Sequence, residues 1–112
     1  MALSFKDDQI LNKIISEIEF LQKYTKPLSL GLILDDEEKK RTIAMTLLNI
    51  GELASNLSKE FKKSNDAIPF REIIGMRNHA AHGYFALHFE RIWETIQEDI
   101  PELKSKIIQL LT

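Results

Sequence analysis

Apolar residues recur at the three- and four-residue spacing of an amphipathic helix along nearly the whole chain. Ile10, Leu11, Ile14, Ile15, Ile18 and Leu21 form the first stripe, which predicts a helix from about Phe5 to Tyr24. Ser4 is placed to cap it, with Asp7 three residues on as a weaker capping box. Pro27 and Gly31 interrupt the pattern. The stretch from Leu28 to Leu34 is unusually apolar for a connector, and reads as a short packed helical turn or as a patch that a partner covers. Asp35 is then a good N-cap, with Glu38 at the capping-box position and acids at Asp36 and Glu37 suiting the positive end of the helix dipole. From there Ile43, Ala44, Leu47, Leu48, Ile50, Ala54, Leu57 and Phe61 carry a long second helix to about Lys63.

Ser64, Asn65 and Asp66 form a loop, and Pro69 opens a third helix. That helix carries Phe70, Ile73, Ile74 and the segment from Arg77 to His82, and Gly83 is placed to stop it. A fourth helix runs from Leu87 to about Asp99 with Phe89, Ile92, Trp93 and Ile96 inward. Asp99 and Pro101 read as the start of a last helix through Leu103, Ile107, Ile108 and Leu111. No segment alternates with period two, so the pattern predicts an all-α protein without a sheet.

The chain has 112 residues, for which one domain over 1–112 is the expectation. With 29% charged residues and no apolar run near the ~20 residues of a spanning helix, the pattern argues against a membrane protein. The first residues carry acids early and lack the apolar core of a signal peptide. Cysteine is absent, which excludes disulfides, thiolate nucleophiles and zinc–thiolate sites and points to the cytoplasm. A net charge of −2 offers no bulk attraction to nucleic acid. From Arg71 to Arg91, however, three arginines and three histidines face only Glu72 and Glu90, which makes a modest local positive region. Lys59, Lys62 and Lys63 form a second small cluster, equally explained as a solvated helix end.

The chemistry is concentrated in Arg77, Asn78, His79, His82 and Tyr84. An arginine offers phosphate a planar fork of donors, and an imidazole moves protons near neutral pH. Together they suit metal-independent cleavage of RNA. One imidazole takes the proton of a ribose 2′-hydroxyl, the oxygen attacks the adjacent phosphorus, and Arg77 stabilises the growing charge. Asn78 orients the imidazole or a phosphate oxygen. His79, Tyr84 or a second His82 across a dimer would protonate the leaving oxygen. Helix geometry complicates this arrangement, because Arg77 and His82 are five apart and lie about 140° around the axis from each other. Each residue also has an ordinary reading: Arg77 pairing with Glu72 or Glu90 at the surface, Asn78 bonding locally to backbone, His82 favoured at a helix C-terminus, and Tyr84 packed. His79 and His82 at i, i+3 would need a third ligand, Glu52 or His88, to hold zinc, and neither has support in the pattern, so no metal and no cofactor is assigned.

Gly51 sits inside the long second helix, where it costs roughly 1 kcal/mol against alanine and signals close approach of another element. Its neighbour Glu52 is an acid near a mostly apolar face. It either reaches solvent or a dimer seam, or pairs with Arg77 and holds it in place.

Ile50-Gly51-Glu52-Leu53-Ala54, Ile68-Pro69-Phe70-Arg71-Glu72-Ile73-Ile74-Gly75-Met76-Arg77-Asn78 and His82-Gly83-Tyr84-Phe85 together resemble the HepT-like family of the HEPN superfamily. Ile92-Trp93-Glu94 and the run from Asp99 to Lys104 look like its C-terminal half. The resemblance implies an up-and-down bundle of about four to five helices and a metal-independent endoribonuclease in which Arg77 and His82 match the catalytic arginine–histidine motif and Asn78 the polar residue after the arginine. It implies a homodimer with both motifs in one cleft, which would supply a second arginine and histidine. It also implies the toxin half of a toxin–antitoxin pair, acting on transfer or messenger RNA. Its cognate antitoxin would be a minimal nucleotidyltransferase, which in some members adenylylates a tyrosine that Tyr84 matches. Related domains also serve as non-catalytic binding modules for such a partner. Ala80 and Ala81 stand where bulkier aliphatics are common, and the motif assigns His79 no role.

Overall fold

The stripe along the first helix closes onto a core built from every later helix. The computed structural model describes residues 3–81 and 87–111, the side chains of 79–81 excepted. Helix α1 runs Phe5–Thr25, α2 Leu30–Leu34, α3 Glu37–Ser55, α4 Lys59–Ser64 and α5 Phe70–Ala81. Helix α6, Phe89–Glu94, widens through a π-helical turn at Thr95–Asp99 and continues as α7, Ile100–Leu111. The described residues contain no strand, and the fold is all-α, as the periodicity predicts. None of their helices is long and apolar enough to cross a membrane.

Ser4 caps α1 by accepting from the Asp7 N–H at 3.0 Å. The Asp7 carboxylate serves a more distant purpose. It is buried and accepts from the Ser58 N–H at 2.9 Å and the Ser58 hydroxyl at 2.6 Å. Ser58 is itself the N-cap of α4, so this carboxylate fastens the start of α1 to the start of α4.

The short packed helix is the reading of the apolar connector that is observed, and two other local expectations are corrected. The apolar connector is helix α2, which buries Ile33 and leaves Leu32 exposed. Asp35 is used up as the C-cap of α2, so the N-cap of α3 is Asp36, whose carboxylate accepts from the Glu38 and Lys39 N–H groups. The long second helix does not reach Lys63. It stops at Ser55, where the Ser55 hydroxyl and the Asn56 amide both donate to the Glu52 carbonyl and Ser58 begins a new helix.

The break expected before Pro101 is absent, because the π-helical turn absorbs the proline. A proline at this position has no N–H for the carbonyl four residues back, and its ring crowds that carbonyl. The wider turn, in which the Ile100 N–H reaches the Thr95 carbonyl, lets the helix continue.

Ile10, Leu11, Ile14, Ile18 and Leu21 of α1 meet Ile43, Leu47, Ile50 and Ala54 of α3, with Ile100, Leu103 and Ile107 of α7 completing the core. Polar links fix the register of these helices. The Asn49 amide donates to Glu17 at 2.7 Å between α3 and α1, and Lys104 of α7 reaches Gln22 and Glu19 of α1. Phe61 of α4 packs edge-on against Phe70 at 5.8 Å and so anchors the first turn of α5. Helix α5 then lies along α3, which sets the position of Arg77.

Candidate functional site

Helix α5 buries Phe70 and Ile73 and turns Arg77 towards α3 one helical turn further on. There it meets Gly51, which is buried within α3. A Cβ built on Gly51 would overlap the Arg77 Cβ and lie 3.0 Å from its Cγ and 3.1 Å from its Cα. The close approach inferred from a mid-helix glycine is therefore the approach of Arg77 itself.

The next residue on α3 takes the other end of the side chain. Arg77 Nη1 donates to Glu52 Oε1 at 2.9 Å. The Arg77 side chain is 30% exposed and that of Glu52 48%, so the pair lies at the surface with one edge in water. Arg77 Nε is buried and has no hydrogen-bond partner among the described residues. Glu52 contacts Arg77 and also reaches solvent, so each of the two readings open for it holds in part. Among the described residues, Arg77 makes no ion pair with Glu72 or Glu90. Such a partly exposed pair contributes little to stability, about 0–1 kcal/mol, and its significance lies in where it holds the guanidinium.

Asn78 follows on α5 and is exposed. His79 lies on α5 as well, with its side chain outside what the structure describes. His82, Gly83 and Tyr84 lie outside the described residues, so the expected arginine–histidine geometry, the glycine stop and the tyrosine position lie there too. His88 is exposed and precedes α6 without capping it through its side chain.

Beside Glu52, a shallow cleft of about 410 Å³ runs between α1 and α3, lined by Lys13, Ser16, Glu17, Asn49 and Leu53. The chain pattern does not single out Glu17 or Asn49. The available signal is that Asn49 and Glu52 are three apart and share a face of α3. A larger groove of about 700 Å³ lies along Gly75, Met76, Thr95 and Lys106. Its lining also carries Glu72, Arg91, Asp99 and Glu102, and includes none of Glu52, Arg77 or Asn78.

The chain is similar to several known proteins along most of its length. A protein of Caldanaerobacter subterraneus subsp. tengcongensis, provisionally named an RNase, is 38% identical over 101 residues that cover 90% of each chain. One from Thermococcus cleftensis, provisionally named ribonuclease HepT, is 34% identical over 98% of each. A third from Methanocaldococcus jannaschii, also provisionally named an RNase, is 28% identical over 90% of this chain and 87% of its own. No solved structure matches the chain. The family model described as Ribonuclease HepT-like matches residues 14–110, which include α3, α5 and the whole Arg77–Tyr84 segment, and the chain belongs to that family.

Proposed function

We propose that this chain is a metal-independent RNA endonuclease and the toxin half of a toxin–antitoxin pair. The observation that carries the reading is the seating of Arg77. In a chain of a ribonuclease family, an arginine is held at both ends by α3 at the protein surface, beside the exposed Asn78. A guanidinium fixed in advance stabilises charge at a phosphoryl group better than one that must be ordered during the reaction.

In this mechanism His82 takes the proton of a ribose 2′-hydroxyl. The freed oxygen bonds to the adjacent phosphorus as the bond from phosphorus to the 5′-oxygen breaks. Arg77 bears the charge on the phosphoryl oxygens, and Asn78 orients the imidazole or one of those oxygens. His79, Tyr84 or the second His82 of a homodimer returns a proton to the leaving oxygen. The products are a 2′,3′-cyclic phosphate and a 5′-hydroxyl, and no metal, cofactor, water or electron enters. Glu52 supports the reaction by holding Arg77. The substrate is a cytoplasmic transfer or messenger RNA. The partner is a minimal nucleotidyltransferase that restrains the activity, with the Tyr84 phenol as the group it adenylylates.

The Glu52 contact favours one second reading. A carboxylate 2.9 Å from Arg77 already balances part of its charge, which suits a non-catalytic module that docks the nucleotidyltransferase. Purified protein incubated with total cellular RNA in a chelator separates the two. Cleavage to cyclic-phosphate and 5′-hydroxyl ends, lost in Arg77→Ala and His82→Ala, supports the endonuclease. Intact RNA from folded protein with unmodified Tyr84 supports the binding module.

A further inference from the structure

Three glycines lie among the residues whose surroundings are described, and their neighbourhoods differ. A Cβ on Gly75 would meet nothing within 4 Å, and one on Gly31 only the Ser29 hydroxyl at 3.9 Å. On Gly51 the three nearest atoms would all belong to Arg77: Cβ, Cγ and Cα. These atoms are the root of the side chain and the backbone of α5, which cannot swing aside as a flexible tip would. The space a side chain on Gly51 would need is therefore filled by the arginine assigned to the phosphate. Glu52 then fixes the other end of the same side chain at 2.9 Å.

We infer that Gly51 is a positioning residue for RNA cleavage: the absence of its side chain sets how deeply Arg77 sits against α3, and so where the guanidinium meets the scissile phosphate. The inference rests on the proposed role of Arg77. A methyl group at Gly51 must push α5 away from α3 or twist the Arg77 stem, and it breaks the alignment with Glu52 in either case. Misplacing a catalytic group by about 1 Å costs on the order of 10²-fold in rate.

The test uses the full chain and a fluorescent single-stranded RNA that the wild type cleaves. Wild type, Gly51→Ala and Arg77→Ala are compared for thermal midpoint, kcat per folded molecule and KM. Folded Gly51→Ala is expected to lose roughly 10²-fold in kcat with KM within about threefold, since the lost interaction belongs to the transition state. A purely structural role would lower the folded fraction and leave kcat per folded molecule unchanged. That result, with Arg77→Ala inactive, overturns the inference while the role of Arg77 stands. Full activity in Arg77→Ala overturns both. If Gly51→Ala does not fold under the assay conditions, the same kinetics are measured at lower temperature in a stabilising osmolyte, which favours the compact state. A loss of roughly 10²-fold in kcat of the folded variant there supports the assignment, whereas wild-type kcat per folded molecule, or a chain that still does not fold, overturns it.

Discussion

Glu52 and Arg77 are 25 residues apart in the chain and meet at 2.9 Å across the α3–α5 contact. Both are partly exposed, so the bond organises the surface more than it stabilises the fold. Glu52→Gln keeps the shape and removes the charge. Its thermal midpoint should fall by no more than about 5 °C, because an exposed pair contributes at most about 1 kcal/mol. Its kcat for RNA should fall about tenfold as the guanidinium loses its second anchor. Unchanged kcat would detach Glu52 from the reaction.

Arg77 requires its planar fork in the proposed mechanism. Arg77→Lys retains the charge but cannot hold Glu52 and a phosphate in the same geometry. RNA cleavage should fall by roughly 10²-fold, close to the effect of Arg77→Ala, since a preorganised donor to a transition-state oxyanion is typically responsible for 10²–10³ in kcat. Full activity in Arg77→Lys, measured by cleavage rate at saturating RNA, would mean that a point charge suffices.

A cleft that combines Arg77 of one protomer with His82 of its partner makes a distinct prediction for mixtures. Arg77→Ala and His82→Ala should each be inactive alone. Unfolded and refolded together, they should regain about a quarter of wild-type activity, because half the dimers are mixed and each mixed dimer has one intact site. Light scattering should give twice the mass of the chain. No recovery in a confirmed mixed dimer would place each arginine with the histidine of its own chain.

Asp7 makes stability depend on acid. Burial alone would raise its carboxyl pKa, but the hydroxyl and N–H of Ser58 outweigh that, with help from Ser4 and Lys6, and hold it below the ordinary range. A lowered folded-state pKa means that the contribution is fully present above the unfolded value, near 3.9, and is lost as pH falls through the folded one. Asp7→Asn should therefore unfold at lower urea than wild type at neutral pH. The gap should close progressively below about pH 4. A gap that persisted to lower pH would assign the effect to packing rather than to the ionised carboxylate.

Leu47 is a plain core residue, 1% exposed in α3 and four residues before Gly51. Leu47→Ala should cost about 3 kcal/mol in urea unfolding, from lost transfer energy and the cavity left behind. A cost below about 1 kcal/mol would mean that the helices close the void.

Several features need only neighbours in the chain and are legible in it. The Ser4 cap, the α1 stripe and the opening of α5 after Pro69 depend on a spacing of three or four residues, which helix geometry fixes. The family itself is legible in residues 50–54, 68–78 and 82–85. Local competition between equally good signals is less legible. Asp35 and Asp36 are both capable caps, and the choice of Asp36 follows from α2 ending on Asp35. Asn56 and Ser58 break a helix whose apolar stripe continues to Phe61, because their polar side chains offer the backbone other partners.

Helical periodicity thus determines that the chain is all-α, where most of its core lies, and that Arg77, Asn78, His79, His82 and Tyr84 crowd into one short stretch. It leaves open whether Glu52 reaches Arg77, and which element approaches Gly51. Periodicity describes one helix at a time, whereas those questions concern the distance and rotation between two. The packing of α5 on α3 decided them, placing the root of Arg77 against a residue with no side chain and its tip against the carboxylate beside it.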